Sequence, residues 1–499
     1  MAPPRLVLRA DGNSRIGLGH VMRLLALAEI LRPDFAEQLF LIREPDEALA
    51  QQLAAAGLRV VALPTQPQPE EAAHLVRHVL RATDVLVLDG YDFRYDYQNT
   101  VRGAVARLVY VDDLHGFPLA ADLVLNPAGG VQLNQYQMRQ PGARLLAGPA
   151  FAPLRSAFRE AARQPASEAS HTSVLVCLGG ADPTHQTRHV AAALLALPNV
   201  AQVHAVVGSA YSGREALQTW ADQQPRLTLH HSLPAPELVA LMRRCGAAVC
   251  SPSTISYEYC AAGSGLLLLL PVADNQHDIN HFLLEAGLAL PYPSAPNVLT
   301  SPEADRLIRQ LRQAQRRVFD GLAPVRLRQE FRALELPAPP FLLRPVVAAD
   351  SAQLLAWTND PTVRQFSFNP QPVAQAMHEL WLAARLRDPN SLLLLAEDAA
   401  SGQPLGLIRF QVEEARATLS YLLDARFRGR GLAPLLLLAG TRALAQAFGG
   451  VRQVVGHVQA ANVASVKAFE RTGFQRIITR VDSENLSSPL TFEWLTDNF

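Results

Sequence analysis

The sequence predicts an α/β protein with two similar halves of strands and helices, followed by a separate α/β domain. Through the first 330 residues, short apolar runs that suit buried parallel strands alternate with helical patterns. The alternation restarts after residues 151–170, a segment that contains Pro153 and Pro165. A stiff proline-rich linker at residues 336–340 then precedes a third region with a different pattern. At ~150 residues per domain, a chain of 499 residues has room for three domains.

Composition and charge describe a folded enzyme in a reducing compartment. Apolar residues make up 49% of the chain, charged residues make up 18%, and the formal net charge is zero. Because no basic run is present, the sequence predicts no nucleic-acid partner. The cysteines lack CxxC spacing and are expected to be buried thiols; they are Cys177, Cys245, Cys250 and Cys260.

The start of the chain and its apolar runs predict a cytoplasmic protein. Residues 1–5 lead directly into a strand and contain no signal peptide. The longest purely apolar run, residues 266–270, is far shorter than the ~20 residues that a membrane helix needs. We therefore expect no membrane partner.

The first half, residues 1–165, is predicted to form a parallel sheet with helices on both faces. Helical patterns cover 47–56 and 70–82, and the strand candidates are 6–10, 38–43, 59–63, 84–89, 107–111, 121–125 and 144–147. Ligands of such sheets bind beyond the carboxyl ends of the strands. Polar residues follow several of these ends, namely Asp89, Asp92, Asp112, Asp113, His115 and Asn126. Asp112, Asp113 and His115 lack regular metal-ligand spacing, so we expect them to cap an element or line a sugar pocket, and we expect no metal.

A glycine loop follows the first strand and opens a helix over residues 21–31. The loop sequence, beginning at Asp11, is DGNSRIGLGHVMR. Backbone N–H groups at a helix start suit an anion, and Gly17 and Gly19 let a ligand approach the backbone closely. His20 ends the loop and is a candidate proton carrier at neutral pH.

This string resembles the amino-terminal signature of the UDP-sugar hydrolases of pseudaminic acid biosynthesis. The resemblance implies that Gly17 and Gly19 belong to the substrate site and that His20 is catalytic, activating or orienting a water molecule. Because His20 stands at a helix amino terminus, we expect the helix to lower its pKa and keep the ring neutral. If His20 were only a turn residue, the base would be sought at Asp11, Asp89 or Asp113.

The second half, residues 166–335, repeats the alternation. Its strand candidates are 173–178, 202–207, 226–230, 247–250, 266–270 and 288–290. Three loops after these strands carry residues that suit a nucleotide: Gly179 and Gly180, then Ser253, Thr254 and Glu258, then Asn275 and Gln276. Hydroxyls and backbone N–H groups suit a diphosphate, and the Glu258 carboxylate suits the ribose hydroxyls. Ser253 and Asp274 are also candidate helix caps.

The two later loops resemble the UDP half of the same hydrolase family and of the lipid-linked GlcNAc transferase of peptidoglycan synthesis. Two such Rossmann-like halves facing each other resemble the GT-B architecture of nucleotide-sugar enzymes. The resemblance implies a UDP-amino sugar as substrate, with UDP held mainly by the second half.

The third domain, residues 341–499, has strand candidates at 391–396, 404–412, 417–423 and 454–458. The string RFRGRGLA, which begins at Arg426 and opens a helix over 434–448, resembles motif A of the GNAT acetyltransferases. The string NVASVKAFERTGF, which begins at Asn462, resembles their motif B. This resemblance implies that backbone N–H groups and the helix dipole hold the pyrophosphate of acetyl-CoA. The implied acetyl-CoA-binding residues are Arg426, Arg428, Gly429, Arg430, Gly431, Leu432, Ala433 and Asn462.

One position departs from the GNAT pattern. Family members often have a tyrosine seven residues after the motif B asparagine, where it protonates the departing CoA, and here that position is Phe469. General acid catalysis contributes ~10²–10⁴-fold, although a thiol with a pKa of about 8.5 also leaves as the thiolate. The sequence therefore names no catalytic acid in this domain, and it leaves open a purely structural GNAT domain.

Together the resemblances imply two consecutive steps of one pathway in one chain. The hydrolase part would release UDP from UDP-2,4-diacetamido-2,4,6-trideoxy-β-L-altropyranose, and the acetyltransferase part would acetylate the 4-amino group of the preceding UDP-linked sugar. The alternatives are a glycosyltransferase of the GT-B type and a non-catalytic nucleotide-sugar sensor. The stereochemistry of the sugar stays open, since a legionaminic-type precursor also fits.

Overall fold

The computed structural model describes residues 4–12, 17–180, 182, 184–263, 265–477 and 489–496. The chain forms two compact units, Met1–Pro324 and Val325–Phe499, and each is described by itself. Within the described ranges, no helix is long and apolar enough to cross a membrane.

The first half of the first unit is a parallel sheet in the order β3-β2-β1-β4-β5-β6-β7. Its strands are β1 (Leu6–Ala10), β2 (Gln38–Arg43), β3 (Arg59–Leu63), β4 (Val85–Asp89), β5 (Arg107–Val111), β6 (Leu123–Asn126) and β7 (Arg144–Ala147). Its helices are α1 (Gly19–Leu31), α2 (Glu47–Ala55), α3 (Gln68–His78) and α4 (Tyr95–Arg102), and α5 (Ser156–Ala162) follows the sheet. The central strands β1 and β4 are buried along their whole length, as expected when helices cover both faces of a sheet.

The second half repeats this architecture in the order β10-β9-β8-β11-β12-β13, again with parallel pairing. Its strands are β8 (Ser173–Cys177), β9 (Gln202–Val207), β10 (Leu227–His231), β11 (Ala247–Cys250), β12 (Leu266–Leu269) and β13 (Leu290–Pro291). Its helices are α6 (Gln186–Leu195), α7 (Arg214–Ala221), α8 (Ala235–Arg244), α9 (Thr254–Ala261), α10 (His277–Glu285), α11 (Ala295–Leu299) and α12 (Ala304–Val318). The two predicted Rossmann-like halves are confirmed.

The strand predictions for this unit agree with the structure to within two residues at each end. One helix prediction was too long: the helix expected over residues 70–82 ends at His78. The chain turns there because the N–H of Arg81 donates to the Asp84 carboxylate (2.8 Å) instead of continuing the helical pattern.

The second unit takes in most of helix α13 (Ala323–Leu334). Arg326 on this helix donates to the Thr496 carbonyl (3.2 Å), and the Gln329 carboxamide accepts from the Leu495 N–H (3.3 Å). The helix therefore packs beside the last strand of the unit. The predicted domain boundary, between residues 335 and 341, follows this helix.

The sheet of the second unit has the order β14-β15-β16-β17-β18-β20-β19. Its strands are β14 (Phe341–Pro345), β15 (Ser391–Asp398), β16 (Pro404–Glu413), β17 (Arg416–Leu423), β18 (Gln453–Val458), β19 (Gln475–Ile477) and β20 (Leu490–Leu495). Its helices are α14 (Ser351–Thr358), α15 (Pro361–Gln365), α16 (Gln375–Arg387), α17 (Leu432–Ala447) and α18 (Val463–Thr472). Sequence reasoning missed β19, which has only three residues, and β20. The predicted α/β class of this domain is confirmed.

The parallel pair β17–β18 separates before either strand ends. Its last paired residues are Leu419 and Gly456, whereas β17 continues to Leu423 and β18 to Val458. We call residues 420–423 and 457–458 the strand opening. Backbone groups of these two segments do not pair with one another, so they are available to a bound molecule.

Gly456→Ala should destabilise the second unit by about 1–3 kcal/mol, the usual cost of overpacking a core. A Cβ at this position would lie 2.4 Å from the Phe469 ring, which packs against Phe474 and Phe492. The matched control is Gly449→Ala, where a Cβ meets nothing within 4 Å. Equilibrium urea unfolding of the full chain measures both variants, and equal midpoints would contradict this packing.

Candidate functional site

The first glycine loop leads into helix α1, which begins at Gly19. Gly17 has φ +93°, a backbone conformation that favours glycine, and a Cβ at either glycine would meet nothing within 4 Å. The space beside the loop is therefore open to a ligand. Residues 13–16 of the predicted signature lie outside the described residues.

His20 pairs with a buried carboxylate at the end of a neighbouring strand. Strands β1 and β4 are adjacent, with Ala10 opposite Asp89, so the helix after β1 starts beside the end of β4. His20 Nδ1 lies 2.6 Å from Asp89 Oδ1. Arg23, one turn along α1, donates to both Asp89 oxygens (2.8 and 2.7 Å). The three side chains form one charged cluster at the carboxyl end of the sheet.

The electrostatics of this cluster overturn one expectation. Burial opposes the charged form of His20, but the nearby Asp89 carboxylate more than compensates and raises the pKa of His20. The lowered pKa expected from the helix amino terminus was wrong, because an ion pair at 2.6 Å outweighs a partial charge. Burial likewise opposes ionisation of Asp89, but Arg23 and His20 hold its pKa at about 2.

The cluster continues across the crevice between the two halves. The ring of Tyr91 meets the ring of His20 edge-on, with centroids 4.9 Å apart. Tyr91 Oη donates to Asp113 (3.2 Å) and accepts from Asn275 Nδ2 (2.5 Å). Asp113 Oδ1 is buried without a hydrogen-bond partner. Asn275 comes from the second half, so the structure brings this predicted UDP-site residue to the His20 cluster.

Each of the three alternative bases is held by a cation. Asp11 accepts from Arg9 (2.5 and 2.8 Å), Asp89 accepts from Arg23, and Asp113 lies 3.4 Å from Arg23. Because Arg23 and His20 hold the pKa of Asp89 at about 2, Asp89 is a weak proton acceptor. The arrangement favours His20 over Asp89 as the base.

The glycine loop of the second half lies beside two other strand ends. Gly179 has φ +92°, and a Cβ on it would lie 3.7 Å from Ser251 Oγ, at the end of β11. A Cβ on Gly208, at the end of β9, would lie 2.6 Å from the Gly180 backbone. Glycine is therefore required at position 208 for the loop to lie this close. Gly179, Gly180 and the residues after β11 line one edge of the sheet, as predicted.

The hydroxyl groups after β11 face this edge rather than capping a helix. Ser253 Oγ lies 3.1 Å from Ser251 Oγ and makes no cap bond to helix α9. Thr254, the first residue of α9, is exposed. The capping interpretation of Ser253 was wrong. Asp274 likewise opens a short 3-10 turn without a side-chain cap bond.

Glu258 and Gln276 have partners within the protein. Both Glu258 oxygens accept from Arg155 (2.7 Å each), in the segment that leads into α5. Burial raises the pKa of Glu258, and Arg155 partly offsets the effect. Gln276 Oε1 accepts from the Val272 N–H (2.8 Å) and so holds its own loop. The role of Glu258 toward ribose stays a prediction, and sequence reasoning missed its pairing with Arg155.

The acidic and histidine side chains that follow β5 each contact a different partner. Asp112 accepts from the His115 N–H (2.6 Å), and His115 Nε2 lies 3.0 Å from Asp278 on α10. These contacts join the two halves on the same side as Asn275. Within the described residues there is no group of three or more His, Cys, Asp or Glu side chains that could hold a metal ion.

In the second unit, the predicted acetyl-CoA loop precedes helix α17. Gly429 and Gly431 have φ +73° and +74°, and a Cβ at either position would meet nothing within 4 Å. Leu432 buries its side chain in the core, so only its backbone N–H is available to a ligand. Glycine geometry and a helix start thus occur together, as an anion site requires.

The polar residues of the two GNAT motifs have partners of their own. Arg426 donates to Asp424 (3.0 and 2.9 Å), Arg428 lies 3.3 Å from Asp360, and Arg430 lies over the Phe427 ring (5.2 Å). Asn462 Oδ1 caps α18 by accepting from the Ser465 N–H (3.1 Å). Their proposed contacts with acetyl-CoA stay predictions.

Sequence reasoning missed a hydroxyl pair at the strand opening. Phe469 fills the core beside Gly456. Tyr421, two residues beyond the last paired residue of β17, reaches Ser465 on α18 with 3.0 Å between the two hydroxyl oxygens. Burial raises the pKa of Tyr421, so its phenol keeps its proton at neutral pH. Its position could be found only once the register of β17 was known.

The second unit contains an acetyltransferase domain of the GNAT class. Residues 341–475 match the family model described as acetyltransferase (GNAT) domain. The whole chain is similar to an uncharacterised protein of Methanocaldococcus jannaschii, with 18% identity over 96% of this chain and 98% of that protein. It is also similar to the spore coat polysaccharide biosynthesis protein SpsG of Bacillus subtilis, with 24% identity over 53% of this chain and 76% of that protein.

A solved structure is also similar to part of the chain. AAC(6')-Ib in complex with paromomycin and acetyl-CoA shares 18% identity, with 31% of this chain and 93% of that chain covered and a TM-score of 0.27. The family match and the similarity to SpsG support a chain in which a part similar to SpsG is joined to a GNAT domain. The acetyltransferase class also supports acetyl-CoA as the acetyl donor.

The pKa of His20 should lie above 6.5, the ordinary value for the side chain, and should fall in Asp89→Asn. Removing the carboxylate charge leaves burial and the positive charge of Arg23, which disfavour the imidazolium, against the smaller favourable effect of Asp113. NMR titration of ¹³C-labelled histidine measures this shift. Asp305→Asn is the control, since Asp305 pairs with His171 instead. A His20 pKa that is unchanged in Asp89→Asn would contradict the ion pair.

Proposed function

We propose that the first unit hydrolyses UDP-2,4-diacetamido-2,4,6-trideoxy-β-L-altropyranose to the free sugar and UDP. The observation that carries this proposal is the His20–Asp89 pair in the crevice, 2.6 Å apart and within one polar network with Asn275 of the other half. A histidine oriented by a carboxylate is suited to accept a proton from water. The similarity to SpsG, a polysaccharide biosynthesis protein, agrees with a sugar substrate.

In this reaction, a water oxygen attacks the anomeric carbon while the bond from that carbon to the UDP oxygen breaks. The carboxylate at Nδ1 favours the tautomer whose proton lies on Nδ1, which leaves Nε2 of His20 to take the proton of the water. UDP departs with the electron pair of the broken bond. Its charge is stabilised by the N–H groups of the Gly179–Gly180 loop and of the Ser253–Thr254 helix start, so no strong acid is needed.

The same crevice suits two alternatives. An alcohol in place of water would make the first unit a glycosyltransferase of the GT-B type, and a non-catalytic nucleotide-sugar sensor would need only the binding residues. Release of UDP from the nucleotide sugar without any acceptor supports the hydrolase and contradicts both alternatives. NMR identification of the sugar product decides between the pseudaminic and legionaminic series.

His20→Asn should reduce the turnover of UDP release by at least ~10²-fold, as expected for the loss of a general base, with UDP affinity little changed. Asparagine preserves polarity and approximate size but cannot accept the proton. In the native protein, kcat/KM should rise with pH through an apparent pKa above 6.5, because the ring must be neutral and Asp89 raises its pKa. Acetyl transfer by the second unit is the internal control. A near-native rate in His20→Asn would refute its role.

For the second unit, we propose that the GNAT domain transfers an acetyl group from acetyl-CoA to the 4-amino group of the preceding UDP-linked amino sugar. The glycine loop before α17 would hold the pyrophosphate of acetyl-CoA, and the strand opening would receive its amide-bearing arm. The amine nitrogen attacks the thioester carbon and gives up a proton to solvent, the C–S bond breaks, and the departing sulfur takes the electron pair and is protonated. The Tyr421 hydroxyl, backed by Ser465, is the proton source that we assign at this opening.

Tyr421→Phe should lower kcat for acetyl transfer by ~10²-fold while leaving CoA affinity unchanged, since only the proton is lost. Thiol release measures the rate, and calorimetry measures CoA binding. Ser465→Ala is the matched variant: it removes the partner but leaves the phenol, so its effect should be smaller. Full activity of Tyr421→Phe would show that the thiolate leaves without this proton, and no CoA binding by the native chain would favour the purely structural domain.

A further inference from the structure

A basic surface lies on the other face of the acetyltransferase sheet, opposite α17 and α18. Arg409 of β16 stacks over the Trp381 ring of α16 (4.9 Å to the centroid) and donates from Nε to Ser420 Oγ (2.6 Å). Ser420 is the first residue of β17 beyond the last parallel pair. Arg409 is therefore held in place by an aromatic ring and a hydroxyl group at the edge of the strand opening.

Two more arginines belong to this surface. Arg385 follows Trp381 by four residues on α16, which places both on one face of the helix. Arg364 donates to the carbonyls of Asn369 and Gln371 (3.1 Å each), and its Nε is buried without a hydrogen-bond partner. The loop that Arg364 organises meets the end of β18, where Gln459 donates to the Ser367 carbonyl (3.1 Å). We call Arg364, Arg385 and Arg409 the arginine group.

The charges of the arginine group are not balanced by the protein. Burial lowers the pKa of Arg409, and the charges of Arg385 and Arg364 lower it further. Within the described part of the chain, the carboxylate bonded to the group is Asp388, which lies 3.3 Å from Arg385. Three cations and one anion leave two positive charges. Like charges placed together destabilise a protein unless a ligand neutralises them, so this surface is suited to a dianion.

We propose that the arginine group binds the diphosphate of the acetyl acceptor, which makes the acceptor a nucleoside-diphosphate-linked amino sugar and not a free amino sugar or a polyamine. The proposal rests on the acetyltransferase function proposed above and adds the feature by which that site selects its substrate. A diphosphate diester carries two negative charges, equal to the excess of the group. Guanidinium groups bond phosphate oxygens in pairs, so Arg suits this task better than Lys.

The position of the group also suits the chemistry. Ser420, bonded to Arg409, and Tyr421 are consecutive residues of β17, and in a strand they face opposite sides of the sheet. A diphosphate on the Ser420 side leaves the linked sugar next to the strand opening, into which Tyr421 brings its hydroxyl group from the other side. The acceptor amine and the thioester of acetyl-CoA would therefore approach each other from opposite faces of the sheet.

The experiment compares three acceptors that carry the same 4-amino-4,6-dideoxyhexose: the UDP-linked sugar, the sugar 1-phosphate and the uncharged methyl glycoside. Initial rates of thiol release from acetyl-CoA are measured on the full chain, with CoA binding as the check on folding. The variants are Arg409→Gln and Arg409→Lys. The control is Arg416→Gln, at the opposite end of β17 from the opening.

We expect the native chain to prefer the UDP-linked acceptor by at least 10²-fold in kcat/KM, the range that two charge-assisted pairs supply. Arg409→Gln should raise KM for the UDP-linked acceptor at least ~10-fold and leave KM for the methyl glycoside unaffected. Arg409→Lys should give a KM for the UDP-linked acceptor between those of the native chain and Arg409→Gln. Arg416→Gln should behave as the native chain.

Three results would overturn the proposal. Equal use of the methyl glycoside would show that the acceptor needs no anion, and equal use of the 1-phosphate would exclude the diphosphate. An equal loss for all acceptors in Arg409→Gln would assign Arg409 to the chemistry or the fold. If CoA binds but none of the three amines supports thiol release, the acetyltransferase function on which the proposal depends is refuted instead.

Discussion

A buried carboxylate organises the site of the first unit. Asp89 is completely buried at the end of a central strand, where an uncompensated charge would cost several kcal/mol. Arg23 and His20 compensate it, and both lie on α1 because β1 and β4 are neighbours in the sheet. The need to satisfy Asp89 therefore fixes the start of α1, the orientation of the His20 ring and its raised pKa. Tyr91, Asp113 and Asn275 extend this arrangement to the other half.

In the second unit, the corresponding constraint is the separation of two parallel strands. Gly456 is the last residue of β18 that pairs with β17, and it has no side chain, so the Phe469 ring can pack where a Cβ would lie. Beyond it, β17 is free of β18, and its successive residues reach opposite faces of the sheet. Tyr421 turns to α18, whereas Ser420 bonds Arg409 beneath α16. The end of pairing between β17 and β18 therefore creates an opening for a ligand, and the two faces of this opening carry different chemical groups.

The sequence predicted the strands of the first unit well because buried parallel strands are continuous apolar runs bounded by turn residues. It also located Gly17, His20, Gly179 and Asn275 at strand ends, since that position follows from the alternation alone. It could not predict contacts across large separations in the chain. The pairing of Arg155 with Glu258 spans 103 residues, and the pairing of His20 with Asp89 spans 69. The expected lowering of the His20 pKa was wrong for this reason. The helix amino terminus can be located from the local sequence, but the pairing of His20 with the distant Asp89 cannot.

Both proposed activities would require the diphosphate that is attached to the sugar, and this requirement sets their order. Hydrolysis removes the diphosphate from the sugar, and that diphosphate is what the arginine group would recognise. If both proposals hold, a sugar released by the first unit would no longer be a substrate for the second, so acetylation would have to come first. In these proposals the anion would be bound by different means in each case: by helix starts and glycine loops in the first unit, and by guanidinium groups in the second. Helix starts can stabilise a departing UDP whose charge grows as the bond breaks, whereas the arginine group suits a diphosphate that remains attached.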